Sequence, residues 1–309
     1  MNLPAIVLTA GLGTRLDPLT RLVAKPAVPL GRQSLIERVL AWIRQQGVTE
    51  AVLNLHHRPA TLTTIVGDGR HLGLRVRYSW EPSVLGSAGG PRRALPLIEG
   101  DPVLIVNGDT LSDFALDPMI EAHVASGADV TLAVVPNPAP DHYNGMMTDS
   151  SGRVMGFVPR GQAAGSWHFI GVQIARRRVF DGLRDGEPAE TIAGLYRDIV
   201  AAGDGRIRVW PATTSFIDVG TPRDYLRAAL TFADDADREA HGPHVTRTIV
   251  WPEATLAADV ELDGCVVAGP VRLGAGFRSR DAVIVPTVLV TGGDRATVRD
   301  GVALFPLAE

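Results

Sequence analysis

The chain has 309 residues, 45% hydrophobic and 21% charged, with a formal net charge of -4 at pH 7 and one cysteine, Cys265. A chain of this length buries roughly 75% of its unfolded surface and forms one large domain or two, and its composition excludes disorder. No basic excess marks a nucleic-acid-binding face, the lone cysteine excludes a disulfide framework or cysteine-based zinc site, and no apolar run reaches membrane-spanning length. With no basic region before a signal-like segment, the expectations are a cytoplasmic location and neither nucleic acid nor membrane as partner.

Ala5-Ile6-Val7-Leu8 has the length and β-branched content of a buried first strand. The loop after it, from Leu8 to Leu30, reads LTAGLGTRLDPLTRLVAKPAVPL. Gly11 and Gly13 remove side chains where backbone turns tightly or approaches a ligand, Thr14 adds a hydroxyl, and Arg15 and Lys25 add two positive charges. Each alone fits a solvated turn; together after a first strand they point to a polyphosphate. A dinucleotide fingerprint is weak here, because Leu16 stands at its third glycine and Asp17-Pro18 follows where a helix should already run. No string with the P-loop spacing occurs.

The remaining string, through Ala10, Gly11, Gly13, Thr14, Arg15, Pro18, Leu19, Thr20, Lys25 and Pro26, resembles the signature loop of the sugar-1-phosphate nucleotidylyltransferases. It departs at Ala24, where the family usually has proline. The resemblance implies that the loop wraps a nucleoside triphosphate, with Arg15 on the leaving pyrophosphate and Lys25 near the reacting phosphorus.

Further along, Gln33 to Glu37 contains Ser-x-x-Glu ahead of an apolar pattern, which predicts a capped helix over about 35–46, ended by Gly47. Ala51 to Leu55 reads as a strand, Pro59 to Val66 as a helix and Leu74 to Trp80 as a third strand, with Trp80 expected in the core. This alternation is the α/β signature. His56, His57 and His71 are read as solvent-facing or loop residues rather than ligands.

Glu81 to Gly90 reads as a strand passing into a small-residue loop, before a helix ending near Pro96. Gly86, Ser87, Ala88 and Gly89 are similar to the family's Leu-Gly-Thr-Ala-Gly segment, which implies that they let backbone groups reach the nucleotide base. Asp101 to Asp109 is a buried strand delivering a carboxylate at its end, where ligands of open α/β sheets gather. By position Asp109 is equally a turn cap; the resemblance of Gly108-Asp109 implies a Mg²⁺ ligand.

A helix over Pro118 to Ser126 and a strand over Asp129 to Val135 complete a Rossmann-like core. Loops and short strands follow and resemble a sugar-binding half, with Gly145 at the sugar pocket or in an ordinary hairpin, and Gly171 in the strand beneath the sugar. Many family members carry Glu-Lys-Pro near here, its lysine on the sugar phosphate. This chain has Val158-Pro159-Arg160, so either Arg160 supplies that charge or the contact is missing. Thr191 to Ala202 reads as an amphipathic helix and Arg206 to Trp210 as a strand. In Phe216 to Leu226, Thr221 and Pro222 are a helix start. The same string is similar to the family's Trp-x-Asp-x-Gly-Thr-Pro, which implies that Asp218 is the second metal carboxylate.

From about Asp237, aliphatic residues recur at short intervals with glycines between them and few helix formers. The spacing fits either a short left-handed parallel β-helix or a small β-sheet. The expected architecture is therefore α/β: a Rossmann-like mixed sheet flanked by helices, the nucleotidyltransferase core, over residues 1–236, and a C-terminal β region over 237–309. The resemblance implies transfer of a nucleoside monophosphate from an NTP to a sugar 1-phosphate, with Mg²⁺ as cofactor and a homo-oligomer formed through the C-terminal region. The leading reading is mannose-1-phosphate guanylyltransferase-like; the alternatives are a uridylyltransferase for an amino-sugar 1-phosphate and a catalytically silent nucleotide-sugar-binding subunit.

Overall fold

Four parallel strands with helical crossovers build one side of the sheet: β1 (Ala5–Leu8), β2 (Glu50–Leu55), β3 (Arg75–Trp80) and β4 (Val103–Asn107), in the order β4-β1-β2-β3. Ala5, Ile6 and Val7 are fully buried, as a parallel strand covered on both faces requires. The helices between these strands are α1 (Leu35–Gln45), α2 (Pro59–Val66) and α3 (Gly86–Ala94). After α4 (Asp117–Ser126) the sheet becomes mixed. Its remaining strands are β5 (Val130–Pro136), β6 (Gly145–Thr148), β7 (Val154–Val158), β8 (Trp167–Ala175) and β9 (Ile207–Pro211). β8 runs antiparallel to both β4 and β5, β6 and β7 form an antiparallel pair, and β9 is parallel to β5. This is the expected α/β Rossmann-like mixed sheet.

The computed structural model describes residues 3–203, 205–214, 216–234 and 242–307. The chain divides into two compact units, Met1–Gly11 with Glu37–Phe216, and Leu12–Ile36 with Ile217–Glu309. The domain boundary expected at residues 236 and 237 lies outside the described residues. The first unit holds the sheet, with a core that includes Ile6, Val52, Ala88, Ile105, Val130, Phe180 and Tyr196.

Three local expectations are corrected. No strand forms over Glu81 to Leu85, and the small-residue segment is already helical from Gly86. Ala189 O accepts from the N–H groups of both Ala88 and Gly89, which satisfies donors that a first helical turn leaves unpaired. Thr191–Leu195 is a π-helical turn that precedes α5 (Tyr196–Ala201), rather than the start of one regular helix. Trp80 is 50% exposed, because it ends β3, an edge strand of the sheet, where it lies against the His56 ring.

In the second unit the signature loop forms three single 3₁₀ turns, Thr14–Leu16, Leu19–Arg21 and Lys25–Ala27, and then a short hairpin, Pro29–Leu30 with Gln33–Ser34. α6 (Pro222–Phe232) starts as the sequence indicates, with Thr221 and Asp224 in a reciprocal capping box and Pro222 at its first position. The C-terminal region winds in parallel coils whose partners lie 17 residues apart. Its faces are Val245–Thr246, Glu261–Asp263 and Arg278–Arg280; Ile249–Val250, Val266–Val267 and Ala282–Pro286; and Thr255–Leu256 with Arg272–Leu273. Three stacked faces around Leu262, Val267, Leu273, Phe277 and Ile284 make a β-helix rather than one flat sheet. The antiparallel strands Thr297–Arg299 and Val302–Pro306 close it.

Candidate functional site

In the first unit β1 and β4 pair side by side, Leu8 opposite Asn107, so Ala10 and Gly11 emerge beside Gly108 and Asp109 at the carboxyl edge of the sheet. A cavity of about 680 Å³ opens there, lined by Leu8, Ser87, Asn107 and Gly145, by the rings of Tyr143, Phe157, Trp167 and Phe169, and by Glu190, Gln173 and Arg197. β8 pairs with β5 along both of its halves, Trp167–Phe169 and Gln173–Ala175, with the register shifting between Phe169 and Gln173, while on its other edge Trp167 pairs with Met146 of β6 and Val172–Ala175 pair with β4. Gly171 sits in the shift at φ 81°, and a Cβ on it would lie 3.0 Å from the Asn107 side chain.

One wall of the cavity is a stack of rings. His142, Tyr143 and His168 follow one another at centroid distances of 4.9 and 4.3 Å, and Phe216 continues from His168 at 5.3 Å. Burial pushes the His168 imidazole below its ordinary value, opposed by a hydrogen bond with the Asn144 backbone, so the ring is neutral at pH 7. Across the cavity, Glu190 accepts from Ser87 N at 3.2 Å and from Ser87 Oγ at 2.5 Å, which sets a carboxylate at the N-terminus of α3.

The small-residue segment is thus closed against the chain at Glu187 to Glu190. A Cβ on Gly86, which has φ 76°, would approach Glu190 Oε1 to 2.5 Å, and one on Gly89 would approach Glu187 O to 2.6 Å. The Ala88 and Gly89 donors are occupied by Ala189, and Ser87 is the member of the segment that lines the cavity. Arg160 is exposed, its main-chain N–H bound to Asn144 Oδ1 at 2.9 Å, and it does not line the cavity; Arg197 does.

In the second unit the loop is shaped by Gly13, at φ 63°, where a Cβ would come within 2.8 Å of Thr20 Cγ2 and 3.0 Å of Lys25 Cβ. Lys25 itself is buried. Arg15 and Asp218 are brought together: Arg15 Nη1, Asp218 Oδ2 and Asp224 Oδ2 all lie 3.2 to 3.4 Å from the position of a Cβ on Gly220. The second unit therefore holds Gly13, Thr14, Arg15, Lys25 and Asp218. The first holds Ala10, Gly11, Asp109, Gly86 to Gly89, Gly145, Arg160 and Gly171.

Asp109 and Asp218 offer hard carboxylate oxygens of the kind Mg²⁺ prefers. Among the described residues there is no group of three or more His, Cys, Asp and Glu that could hold a metal ion. Either carboxylate alone supplies too few ligands for an all-protein cage, so a cation on it would take its remaining ligands from phosphate oxygens and water. Three residues facing the cavity, Gln173, Glu190 and Arg197, carry no motif and were not singled out from the sequence; the polar residue inside the apolar run of β8 is the one signal that marked Gln173.

The Nucleotidyl transferase family matches residues 4–235, and the chain belongs to that family. The chain is 29% identical over 292 residues to the mannose-1-phosphate guanylyltransferase of Mycobacterium tuberculosis, covering 94% of this chain and 81% of that protein. To the N-acetylmuramate alpha-1-phosphate uridylyltransferase of Neisseria meningitidis serogroup B it is 33% identical over 229 residues, covering 70% of this chain and 93% of that protein. The crystal structure of HddC from Yersinia pseudotuberculosis complexed with GMP-PN has the same fold, with a TM-score of 0.65 at 22% identity over 74% of this chain and 99% of that one. Among the described residues no helix is long and apolar enough to cross a membrane.

Proposed function

We propose that this chain is a cytoplasmic enzyme that transfers a nucleoside monophosphate from an NTP to a sugar 1-phosphate, and that it is mannose-1-phosphate guanylyltransferase-like. The observation that carries the reading is the family match over residues 4–235, joined to guanylyltransferase relatives that align with most of the chain. An oxygen of the sugar phosphate attacks the α-phosphorus, a new P–O bond forms, the bond to the β-phosphate oxygen breaks, and pyrophosphate leaves. Both reactants are polyanions, so the protein's task is to offset charge and align the two in line.

In this reading Gly11, Gly13 and Thr14 shape the loop around the triphosphate, Arg15 neutralises the leaving pyrophosphate, and Lys25 neutralises the phosphate under attack. Burial of Lys25 beside Gly13 holds its side chain in one place rather than leaving it to solvent. Gly86, Ser87, Ala88 and Gly89 back the nucleotide, and the first unit's cavity, with Gly145 and Gly171, takes the sugar. Asp109 and Asp218 would hold Mg²⁺, which when bound supplies charge to polarise the α-phosphate. A homo-oligomer formed through the C-terminal region, and a division into catalytic and C-terminal domains near residues 236 and 237, belong to the same proposal.

A second reading is favoured by the 33% identity to a uridylyltransferase of which the chain covers 93%: UTP with an amino-sugar 1-phosphate. A panel of GTP, UTP, ATP and dTTP against mannose 1-phosphate, glucose 1-phosphate and N-acetylglucosamine 1-phosphate separates the two. Fastest turnover of GTP with mannose 1-phosphate supports the first; preference for UTP with the amino sugar supports the second.

A further inference from the structure

We propose that Gln173 is a specificity-determining residue of the cavity, donating from its amide nitrogen to an oxygen of the bound sugar while Tyr196 fixes the amide from behind. The proposal rests on the reading of that cavity as the acceptor-sugar pocket. Gln173 lies in β8 and is only 2% exposed. Its neighbours in the pairing are Ile105 on β4 and Leu132 on β5, so it interrupts an otherwise apolar stretch of the sheet.

Tyr196 is fully buried, and its hydroxyl donates to Gln173 Oε1 at 2.5 Å. Burial pushes the Tyr196 phenol well above its ordinary range, so the hydroxyl keeps the proton that it donates to Gln173 Oε1. That leaves the amide oriented with Nε2 away from Tyr196. Nε2 has no protein partner among the described residues, yet it is not one of the buried polar atoms sealed off without one, which are Ser79 Oγ, Ser112 Oγ and His123 Nε2. Gln173 also lines the 680 Å³ cavity.

The Nε2 donors open to the cavity, so a ligand oxygen that accepts from them replaces water, whereas a bound ligand without one leaves them desolvated and unpaired, which is costly. The surroundings fit a sugar ring: Trp167 and Phe169 offer faces for its C–H groups, and Glu190 offers an acceptor for its hydroxyls. A neutral amide held by a second buried group discriminates through geometry, since a substrate lacking the matching oxygen leaves the amide unsatisfied.

The test uses the full-length protein and the variants Gln173→Leu, Gln173→Glu and Tyr196→Phe. Steady-state kinetics are measured against mannose 1-phosphate and N-acetylglucosamine 1-phosphate at saturating NTP, and against NTP at saturating sugar phosphate, with calorimetric titration of each sugar phosphate alone. Removing or reversing the donor is expected to raise the KM and the calorimetric Kd for the preferred sugar phosphate about tenfold, with the KM for NTP within twofold of wild type. Tyr196→Phe is expected to move the same constant in the same direction by less.

A Gln173→Leu enzyme with sugar-phosphate KM and Kd within twofold of wild type overturns the proposal. If that variant does not fold, unchanged constants in both Gln173→Glu and Tyr196→Phe overturn it instead. Wild type that binds a sugar phosphate without turnover defeats the proposed reaction but not the role of Gln173, which the titrations then decide. Wild type that binds neither sugar phosphate defeats both.

Discussion

Arg21, in the loop between the first strand and α1, donates from Nη1 to Asp294 at 2.6 Å, across 273 positions of sequence. The same guanidinium donates to Leu289 O at 2.6 Å and to Asp17 from Nε at 2.7 Å, and lies 5.5 Å from the centroid of Phe305. The segment that carries Arg15 and Lys25 is therefore fastened to the C-terminal coils from the opposite end of the chain. Hydrogen bonds from Arg21 and Thr291 hold the Asp294 carboxyl well below its ordinary value.

The first prediction concerns that fastening. Asp294→Asn removes a charge partner of Arg21 without removing its Asp17 contact, and is expected to lower kcat/KM for NTP several-fold while the protein still folds. Because the folded Asp294 titrates below the ordinary 3.8, its stabilisation is present in full above that value and is lost as pH falls through the lowered one. Denaturant titrations of wild type and Asp294→Asn should differ at pH 7 and converge under strongly acid conditions. An equal gap at both extremes would contradict the assignment.

Gly13→Ala tests the loop conformation. A Cβ forced to φ 63° costs about 1–2 kcal/mol in backbone strain alone. It would also sit 2.8 Å from Thr20 Cγ2 and 3.0 Å from Lys25 Cβ. A drop in activity larger than the drop in stability is expected, because the displaced group is Lys25. Activity equal to wild type would mean that the loop's shape is not used.

Among the described residues Arg197 is the Lys or Arg that lines the cavity, and Arg160 does not line it. Arg197→Gln is accordingly expected to raise the KM for sugar 1-phosphate about tenfold, and Arg160→Gln less than threefold, on the scale of a charge-assisted hydrogen bond. The reverse ranking would restore Arg160 as the phosphate anchor.

His123 gives the pH dependence of stability. It is fully buried, with Nδ1 2.8 Å from Thr131 Oγ1 and Nε2 without a partner. Burial lowers its value from 6.5, so the folded protein keeps the ring neutral where the unfolded chain takes up a proton. Stability should therefore fall as pH drops through 6.5, with His168 acting in the same direction. His123→Gln should flatten the fall in Tm between about pH 7.5 and 5.5, and an unchanged slope would exclude His123 as its source.

Much of the sheet was legible because its information is local. Consecutive apolar residues such as Ala5 to Leu8, and Thr221-Pro222 at the start of α6, state their own structure. What stayed hidden depends on distant partners. The helical start at Gly86 requires Ala189 O and the Glu190 carboxylate, 103 residues from Ser87, to take up its first-turn donors. Trp80 is exposed because β3 has no outer neighbour among the described residues, which no window of sequence shows. The 17-residue coil was visible only as irregular aliphatic spacing, since the short faces are joined by turns of unequal length. The string from Ala10 to Pro26 made the candidate phosphate residues conspicuous, whereas Gln173 becomes noticeable only once Tyr196 is seen behind it.

The most direct measurement is pyrophosphate release by the purified full-length protein from GTP and mannose 1-phosphate in the presence of Mg²⁺, beside Lys25→Ala and Asp109→Ala. The wild type is expected to give stoichiometric pyrophosphate and nucleotide-sugar, and each variant to lose two or more orders of magnitude in kcat. Failure to form product from any pairing in the panel, or product formed at the wild-type rate by both variants, would contradict the proposed reaction.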